Sequence, residues 1–520
     1  MELLRNLTYT AAIAVIYCLL IGVYRLLFHP LRKFPGPPVS RLSDLYGAYF
    51  ASRTALHHRT RQDHLKYGPV IRQGPNKLVF NSVSALQAIY QNDRVTKSPA
   101  YLVSQRAPDT YSVWNALDQS LHRSKRKMIG QVVSERSMKA FESTMMEEVD
   151  TFIRQIFLST QVDSRTPINM TERCKWLGMD IVGHLSFAFP LNLQTDPTYR
   201  FILESAATAN YFLNINMQMP SLAVFRAELF IYLRAVMRGK SYLRTIQKMI
   251  KARLAKDRHA EHDFYSIVSE DMTVPKDESI WTSEIWSEAI FFLTAGGDTT
   301  PTGICALFFY LARNPRCYRR LAEEIRATFG TAAEIRHGNQ LASCSYLRAC
   351  FDEALRMSPP TAGTLWRQEA VNRGDEKEPL VVDGHIIPPG TQIGVNTYAL
   401  HHNELYFPRP FTYLPERWLP DCPEYQTTNR HAFAAFSVGP RGCAGKAMAY
   451  LEASLVIAKT LWYFDFEEVA DGAKGDSRLN TAEEENEYKL NDIVVSTHNG
   501  PWLRFLPRPE CVAEFGTKNP

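Results

Sequence analysis

Cys443 is the residue at which chemistry is easiest to place. It lies in the segment FSVGPRGCAG, residues 436–445, among three glycines and two positions after Arg441. The helical pattern AMAYLEASL follows closely, so Cys443 would lie where a helix begins. Backbone N–H groups and the helix dipole favour a thiolate there. A lone cysteine is most often an inert buried side chain, so a functional role for Cys443 needs support from the residues around it.

A thiolate at this position could attack carbon, bind zinc or ligate haem iron. A nucleophile needs an activating base, and no histidine lies nearby in the sequence. Zinc needs further Cys or His ligands, and none lies at a suitable spacing. The glycines, Gly439 among them, permit close approach of a flat, bulky group, and Phe436 could shield the sulfur. A single thiolate ligand therefore fits haem best.

The composition excludes several classes of protein. Of the 520 residues, 45% are hydrophobic and 22% are charged, which indicates a folded, core-forming chain. The net charge of +5 is diffuse and no Lys/Arg run indicates an arm that follows a phosphate backbone, so nucleic acid is not a predicted partner. Nine scattered cysteines without CxxC indicate reduced thiols in a reducing compartment.

The N-terminus predicts attachment to a membrane. Residues 7–24, LTYTAAIAVIYCLLIGVY, carry no charge and are about long enough to cross a bilayer as one helix. A cleaved signal peptide is the alternative, but basic residues follow where a small-residue cleavage site is expected. Those residues place the body of the protein in the cytosol by the positive-inside rule. We expect a single-pass anchor over residues 1–33 in the endoplasmic reticulum membrane, a proline-rich hinge over 34–40 and a catalytic domain over 41–520.

Helical periodicity dominates the remaining chain. It predicts helices over residues 141–158, 241–256, 283–313 and 316–329, and short β-like runs at 70–80, 380–395 and 492–506. The acid-rich segment 469–488 is interpreted as a solvated loop. The predicted fold is mainly α with a small β region, one large helical domain behind an N-terminal transmembrane helix.

Four motifs resemble those of the cytochrome P450 family. FSVGPRGCAG is similar to its haem-binding signature, Phe-x-x-Gly-x-Arg-x-Cys-x-Gly, with every fixed position matched. AGGDTT (295–300) resembles the oxygen-binding segment of the long central helix, EALR (353–356) the Glu-x-x-Arg pair, and PERW (415–418) the Pro-Glu-Arg-Phe segment with tryptophan replacing phenylalanine. The motifs occur in the family's order. The resemblance implies the P450 fold and haem b ligated through its iron by Cys443.

The AGGDTT segment is predicted to serve oxygen chemistry. Gly296 and Gly297 each cost a helix about 1 kcal/mol against alanine, and they would let the helix open beside a cofactor. Thr299, with Asp298 behind it, could relay protons to bound oxygen. The alternative for Thr299 is a hydroxyl bonded back to its own helix.

Glu353 and Arg356 lie at i, i+3 on a predicted helix. Most such pairs are surface salt bridges that contribute about 0.2–0.5 kcal/mol. The resemblance instead implies a buried structural triad with Arg417 that positions the haem loop.

Haem propionates need cationic or donor partners, and the resemblance supplies four. The segment DQSLHRSKRK (118–127) places His122 and Arg126 at i, i+4 on one helical face, and Arg441 and Arg367 complete the set. Each could otherwise be a solvated surface charge. Other basic residues of this helix would face away and steer an acidic electron donor; they are Arg123, Lys125 and Lys127.

The function implied is a haem-thiolate monooxygenase that takes electrons from NADPH through NADPH-cytochrome P450 reductase and inserts one oxygen atom from O2. The alternative is a haem-thiolate isomerase or dehydratase that uses neither O2 nor reductase; a haem sensor is a third class. Four mostly apolar stretches could line a pocket for a bulky, largely apolar small molecule: residues 98–114, 207–225, 290–295 and 361–366. The wording FHPLRKFPGPP resembles fungal microsomal members that tailor secondary metabolites, such as polyketides, terpenoids or alkaloids.

Overall fold

The computed structural model describes residues 1–163, 165–224, 233–257, 260, 263–268, 283–370, 378–469 and 486–516. The described part of the chain is 61% helical, which confirms the mainly α fold class. Most of the predicted acid-rich loop, 469–488, lies outside the described residues.

Eleven helices longer than ten residues build the described body and its N-terminal extension. They are Glu2–Val23, Leu56–Tyr67, Gln119–Val132, Glu135–Val162, Met170–Phe187, Phe201–Gln218, Leu233–Leu254, Glu284–Arg313, Pro315–Thr328, Ser345–Met357 and Lys446–Tyr463. Shorter helices are Pro38–Leu42, Leu45–Ser52, Val83–Tyr90, Ser221–Val224, Phe264–Val268, Asn339–Ala342, Thr397–His401, Pro423–Thr427 and Val512–Gly516. We name Glu284–Arg313 the central helix and Lys446–Tyr463 the cysteine helix.

Strands form three small sheets in the described chain. The ten strands are β1 Val70–Gly74, β2 Lys77–Phe80, β3 Val95–Lys97, β4 Ile168–Asn169, β5 Arg367–Glu369, β6 Leu380–Val382, β7 His385–Ile387, β8 Gln392–Val395, β9 Phe464–Glu468 and β10 Trp502–Pro507. One sheet has the order β1-β2-β8-β5-β3, another β4-β10-β9, and β6 pairs with β7. Strands therefore occur in all three predicted runs, although within 492–506 only β10 is a strand.

The five-stranded sheet brings two cations together. Its β2–β8 pair is parallel, and its other pairs are antiparallel. In the β3–β5 pair, Lys97 lies directly opposite Arg367. Like charges in this position destabilise a sheet unless an anion lies nearby.

The central helix packs closely along the Met170–Phe187 helix. A Cβ on Gly296 would lie 2.8 Å from Val182 Cγ2, and one on Gly297 would lie 2.9 Å from Met179 Cε. The two glycines therefore let the helices approach, which is a different reason from the helix opening predicted from the sequence. The N-terminus of the central helix is capped by Ser283, whose Oγ accepts a hydrogen bond from Trp286 N.

The N-terminal helix stands apart from the folded body. Among the described residues, one helical stretch, Arg5–Phe28, is long and apolar enough to cross a membrane, with a mean hydropathy of 2.2 and none of its most apolar window buried. The chain joins the body soon afterwards, because Leu31 and Phe34 are buried and Pro35 O accepts a hydrogen bond from Arg72 N at 2.7 Å. Residues 31–35 are thus part of the body, and the structure places the end of the exposed segment near Phe28.

Candidate active site

The segment that carries Cys443 is a tight turn before the cysteine helix. Cys443 N donates a hydrogen bond to Phe436 O at 2.8 Å, and Gly442 N donates to Gly439 O at 2.9 Å. Gly439 has φ +75°, and a Cβ there would lie 2.0 Å from Tyr90 O. Only glycine fits such a position. The turn therefore fixes the cysteine with backbone contacts alone.

The Cys443 side chain lines a cavity inside the protein and is accessible from it. Burial raises the pKa of its thiol, while the Gly445 N–H, Arg126 and Lys446 oppose that rise. Burial thus opposes the thiolate that the start of the cysteine helix was expected to favour. A metal cation facing Sγ would favour the deprotonated form.

The cavity next to Cys443 has a volume of about 650 Å³. Each of the four stretches predicted to line a pocket contributes to its wall. The aromatic and aliphatic part of that wall includes Tyr101, Val103, Trp114, Phe212, Leu213, Ile290, Phe291, Phe292 and Leu365. Such a wall suits an apolar ligand.

Five basic side chains converge on the thiol end of this cavity. They are Lys97, His122, Arg126, Arg367 and Arg441. Within the described chain, no carboxylate oxygen lies within 4 Å of any of their nitrogens. A carboxylate or other anion bound beside these five side chains would therefore be stabilised.

The charges of the cluster repel one another. Burial, followed by Arg441, Lys97, Arg126 and Arg367, lowers the pKa of His122 to about 3. Burial and the neighbouring Arg367 lower the pKa of Arg441 to about 10. An anion would relieve this repulsion, because opposite charges nearby favour the protonated forms.

Three members of the cluster are held in place by backbone carbonyls. Arg367 donates to Trp366 O at 3.1 Å. Arg441 donates to Ala116 O at 2.7 Å and to Leu117 O at 2.9 Å. Lys97 donates to Trp114 O at 2.5 Å. Lys97 could not be recognised from the sequence, because its position beside Arg367 follows only from the β3–β5 register.

The Gln119–Val132 helix carries basic residues on different faces. His122 and Arg126 both line the cavity, in agreement with their i, i+4 spacing. Arg123 and Lys127 are exposed. Lys125, predicted to share their outward face, is instead buried, with Nζ 3.2 Å from Glu288 Oε1. The exposed basic surface of this helix is thus smaller than predicted.

Thr299 and Asp298 face different surroundings. Thr299 lines the cavity, and its Oγ1 donates to Ala295 O at 2.6 Å, the back-bonded arrangement that the sequence left open. Asp298 is buried and does not line the cavity; its Oδ1 lies 2.8 Å from Lys175 Nζ. Burial raises the pKa of Asp298, and Lys175 opposes the rise. Lys175, on the neighbouring helix, was not found from the sequence.

Glu353, Arg356 and Arg417 form one buried cluster. Arg356 donates two hydrogen bonds of 2.9 Å to the Glu353 carboxylate, and Arg417 Nε donates a third at 3.1 Å. Trp418 Nε1, in the position where the family has phenylalanine, donates to the same carboxylate at 3.0 Å. All three charged residues are at most 1% exposed.

His401 links this cluster to the thiol loop. Its Nε2 accepts a hydrogen bond from Ala434 N at 2.8 Å, so its Nδ1 carries the proton and donates to Arg356 O at 3.0 Å. Ala434 O in turn accepts from Ser437 N in the turn before Cys443. The sequence did not single out His401, because its partners lie 33 and 45 positions away.

Comparison with known proteins identifies the family. The family model for cytochrome P450 matches residues 37–490, and the chain belongs to this family of oxidoreductases. The chain is similar to the cytochrome P450 monooxygenase poxM of Penicillium oxalicum, with 32% identity over 97% of this chain and 95% of that protein. It is also similar to AKT7 of Alternaria alternata, with 33% identity over 96% of this chain and 97% of that protein. Both are named cytochrome P450 monooxygenases, which confirms the resemblance stated from the motifs.

Proposed function

We propose that the protein is a membrane-anchored haem-thiolate monooxygenase. It inserts one oxygen atom from O2 into a bulky, largely apolar small molecule, with electrons from NADPH through NADPH-cytochrome P450 reductase. The observation that carries the proposal is the convergence of one cysteine and five basic side chains on one cavity, with no carboxylate within 4 Å of those bases in the described chain.

Haem b fits the residues at this site. Cys443 would ligate its iron, and Lys97, His122, Arg126, Arg367 and Arg441 would hold its propionates. Gly439 lets the loop approach Tyr90 so closely that the thiol faces the cavity. When bound, haem supplies the redox iron chemistry that activates O2 for transfer of one oxygen atom.

The side chains of the cavity control water and protons. Its apolar wall excludes water around the reacting carbon. Thr299 presents its hydroxyl at the wall, where it could pass a proton inward after exchanging its bond to Ala295 O. Asp298 is the acid behind it, and Lys175 holds that carboxylate out of the cavity. We propose that proton delivery requires Asp298 to leave Lys175.

The N-terminal helix would anchor the enzyme in the endoplasmic reticulum membrane. The stretch Arg5–Phe28 has a mean hydropathy of 2.2, and none of its most apolar window is buried. Arg25 lies near its end, and Arg32 and Lys33 follow it. Positive residues on this side favour a cytosolic body. A cytosolic body is where a reductase could meet the exposed Arg123 and Lys127.

The substrate would come from fungal secondary metabolism. The relatives reported above come from fungi, and the segment FHPLRKFPGPP resembles that of fungal microsomal members. Polyketides, terpenoids and alkaloids all offer the apolar body that the cavity wall accepts.

The test is a reconstituted reaction with reductase, NADPH and 18O2 on extracts of cells that lack the gene. One 18O atom in a product that forms only with O2 and reductase supports the proposal. Turnover that proceeds with neither would contradict it and identify a haem-thiolate isomerase or dehydratase.

A further inference from the structure

One cation of the cavity stands outside the cluster of basic residues at the thiol end. Arg106 lies in the loop after the Pro99–Ser104 turn, lines the cavity and is also exposed to solvent, so it lies at the cavity's opening. No hydrogen bond or ion pair joins its guanidinium to another residue of the described chain. A surface arginine is often solvated in this way, but Arg106 is part of the wall of a ligand cavity.

A buried phenol lies close to Arg106. Tyr242, on the Leu233–Leu254 helix, lines the same cavity and is 5% exposed. Burial raises the pKa of Tyr242, and a hydrogen bond with Thr294 and the charge of Arg106 oppose that rise. Arg106 and this hydroxyl-bearing side chain thus belong to the wall of one cavity.

A second donor in the wall also has no acceptor. Asn210 lies on the Phe201–Gln218 helix and lines the cavity at 6% exposure. Its Nδ2 is buried and makes no hydrogen bond within the described structure. A buried amide donor without an acceptor costs about 1–3 kcal/mol, so a ligand oxygen at this place would be stabilising.

The described residues of the cavity wall provide no charged carboxylate to pair with Arg106, Tyr242 and Asn210. Among the described lining residues, Glu452 is the one carboxylate. It is 2% exposed, and burial raises its pKa to about 8, so it is largely uncharged at neutral pH. The cavity thus presents donors and positive charge beyond what the two haem propionates would neutralise.

We propose that the substrate carries a carboxylate at the end of its apolar body, and that Arg106 binds this carboxylate at the opening of the cavity, with Tyr242 and Asn210 as neighbouring donors to ligand oxygens. Arg106 would select acids over neutral molecules and orient the apolar body towards the thiol end. This inference rests on the proposed function, because it requires the haem site.

The test uses ligands that report binding through the haem itself. The probes are ω-(imidazol-1-yl)alkanoic acids of eight to twelve carbons and their methyl esters, whose imidazole nitrogen binds haem iron and shifts its absorption band. The haem-loaded full chain is titrated with each acid and ester at neutral pH. The ratio of the two dissociation constants measures the preference for a carboxylate.

We expect that, for at least one chain length, the parent binds the acid about tenfold more tightly than the Arg106→Gln variant does. The two proteins should bind the methyl ester of that chain length with equal affinity. Tenfold is the size of one charge-assisted hydrogen bond discounted for solvent at an exposed site. Arg106→Lys should retain part of the preference. Arg136→Gln is the matched control, since Arg136 is an exposed arginine that does not line the cavity.

Two contrary results have different meanings. If Arg106→Gln weakens acid and ester alike, or leaves both unchanged at every chain length, the carboxylate assignment is overturned and the proposed function stands. If no probe shifts the absorption band of the parent, this cavity does not lead to the haem iron, and the inference falls with the proposed site.

Discussion

Replacement of Glu353 by glutamine should destabilise the protein far more than the loss of an ordinary ion pair. Glu353 is fully buried and accepts hydrogen bonds from Arg356, Arg417 and Trp418. Although burial raises it, Arg356 and Arg417 bring the pKa of Glu353 below its ordinary value, so the group is charged at neutral pH. Glu353→Gln keeps the shape and leaves two buried guanidinium groups without their counter-charge.

The expected cost follows from that burial. Removing one partner of a buried ion pair costs about 3–5 kcal/mol, because the remaining charge stays desolvated. For a chain of 520 residues the unfolding entropy is about 1 kcal/mol per degree. The melting temperature should therefore fall by about 3–5 °C. Haem retention should also fall, because His401 connects Arg356 to Ala434 before the thiol loop.

The assay is thermal unfolding at a fixed scan rate, with haem content measured in parallel. Glu467→Gln is the matched control, because Glu467 pairs with Arg504 across β9 and β10 and both side chains are about half exposed. An exposed pair contributes about 0–1 kcal/mol, so the melting temperature of Glu467→Gln should differ from that of the parent by less than about 1 °C. Equal shifts in the two variants would refute the structural role assigned to the buried cluster.

Three further predictions concern protons and the membrane. Lys175→Met should raise the pKa of Asp298 further. An acid whose folded pKa is raised loses stability as pH rises from its unfolded pKa, about 3.9, to its folded pKa. The melting temperature should therefore fall relative to the parent as pH rises above about 4; a constant difference would contradict this. Thr299→Ala should lower the product formed per NADPH consumed by about 10²-fold or more and raise peroxide release. Thr294→Ala, which removes a similar back-bonded hydroxyl from the cavity wall, should change neither quantity. Equal product-to-NADPH ratios in the two variants would remove Thr299 from the mechanism. Deleting residues 1–28 should move the protein to the soluble fraction with haem intact, and complete pelleting of the folded variant with membranes would be the contrary result.

The sequence predicted the elements that are marked by local spacing. Hydrophobic periodicity located the central helix within one residue at its start, because Ser283 is a typical N-cap. The i, i+4 spacing placed His122 and Arg126 on one face, and both line the cavity. The motif around Cys443 identified the family, which the family model confirms.

Residues whose environment depends on distant parts of the chain could not be predicted in this way. Lys97 becomes part of the site only through pairing of β3 with β5, and Lys175 reaches Asp298 from another helix. Helical periodicity predicted that Lys125 faces outward, but its side chain is buried and hydrogen-bonded to Glu288, 163 positions away. Sequence spacing describes one helix at a time, whereas these contacts arise where two elements meet.

A second lesson concerns the boundary of the membrane segment. Proline-rich FPGPP predicted a stiff break between the anchor and the catalytic body, since proline stops a helix. In the structure Phe34 is buried and Pro35 O is bonded to Arg72 N in β1, so this segment is part of the body. Local chemistry correctly predicted the break in the helix but carried no information on the surface against which the segment packs.

The most direct test of the central claim is the absorption spectrum of the reduced protein with carbon monoxide. The parent should show the red-shifted Soret band of thiolate-ligated haem, because Cys443 is the thiol that opens into the cavity. Cys422→Ala, a change at a cysteine that does not line the cavity, should keep the band. Cys443→His, which still offers an iron ligand, should retain haem and lose the thiolate band. A thiolate band that persists in Cys443→His would contradict the assignment of Cys443 as the haem ligand.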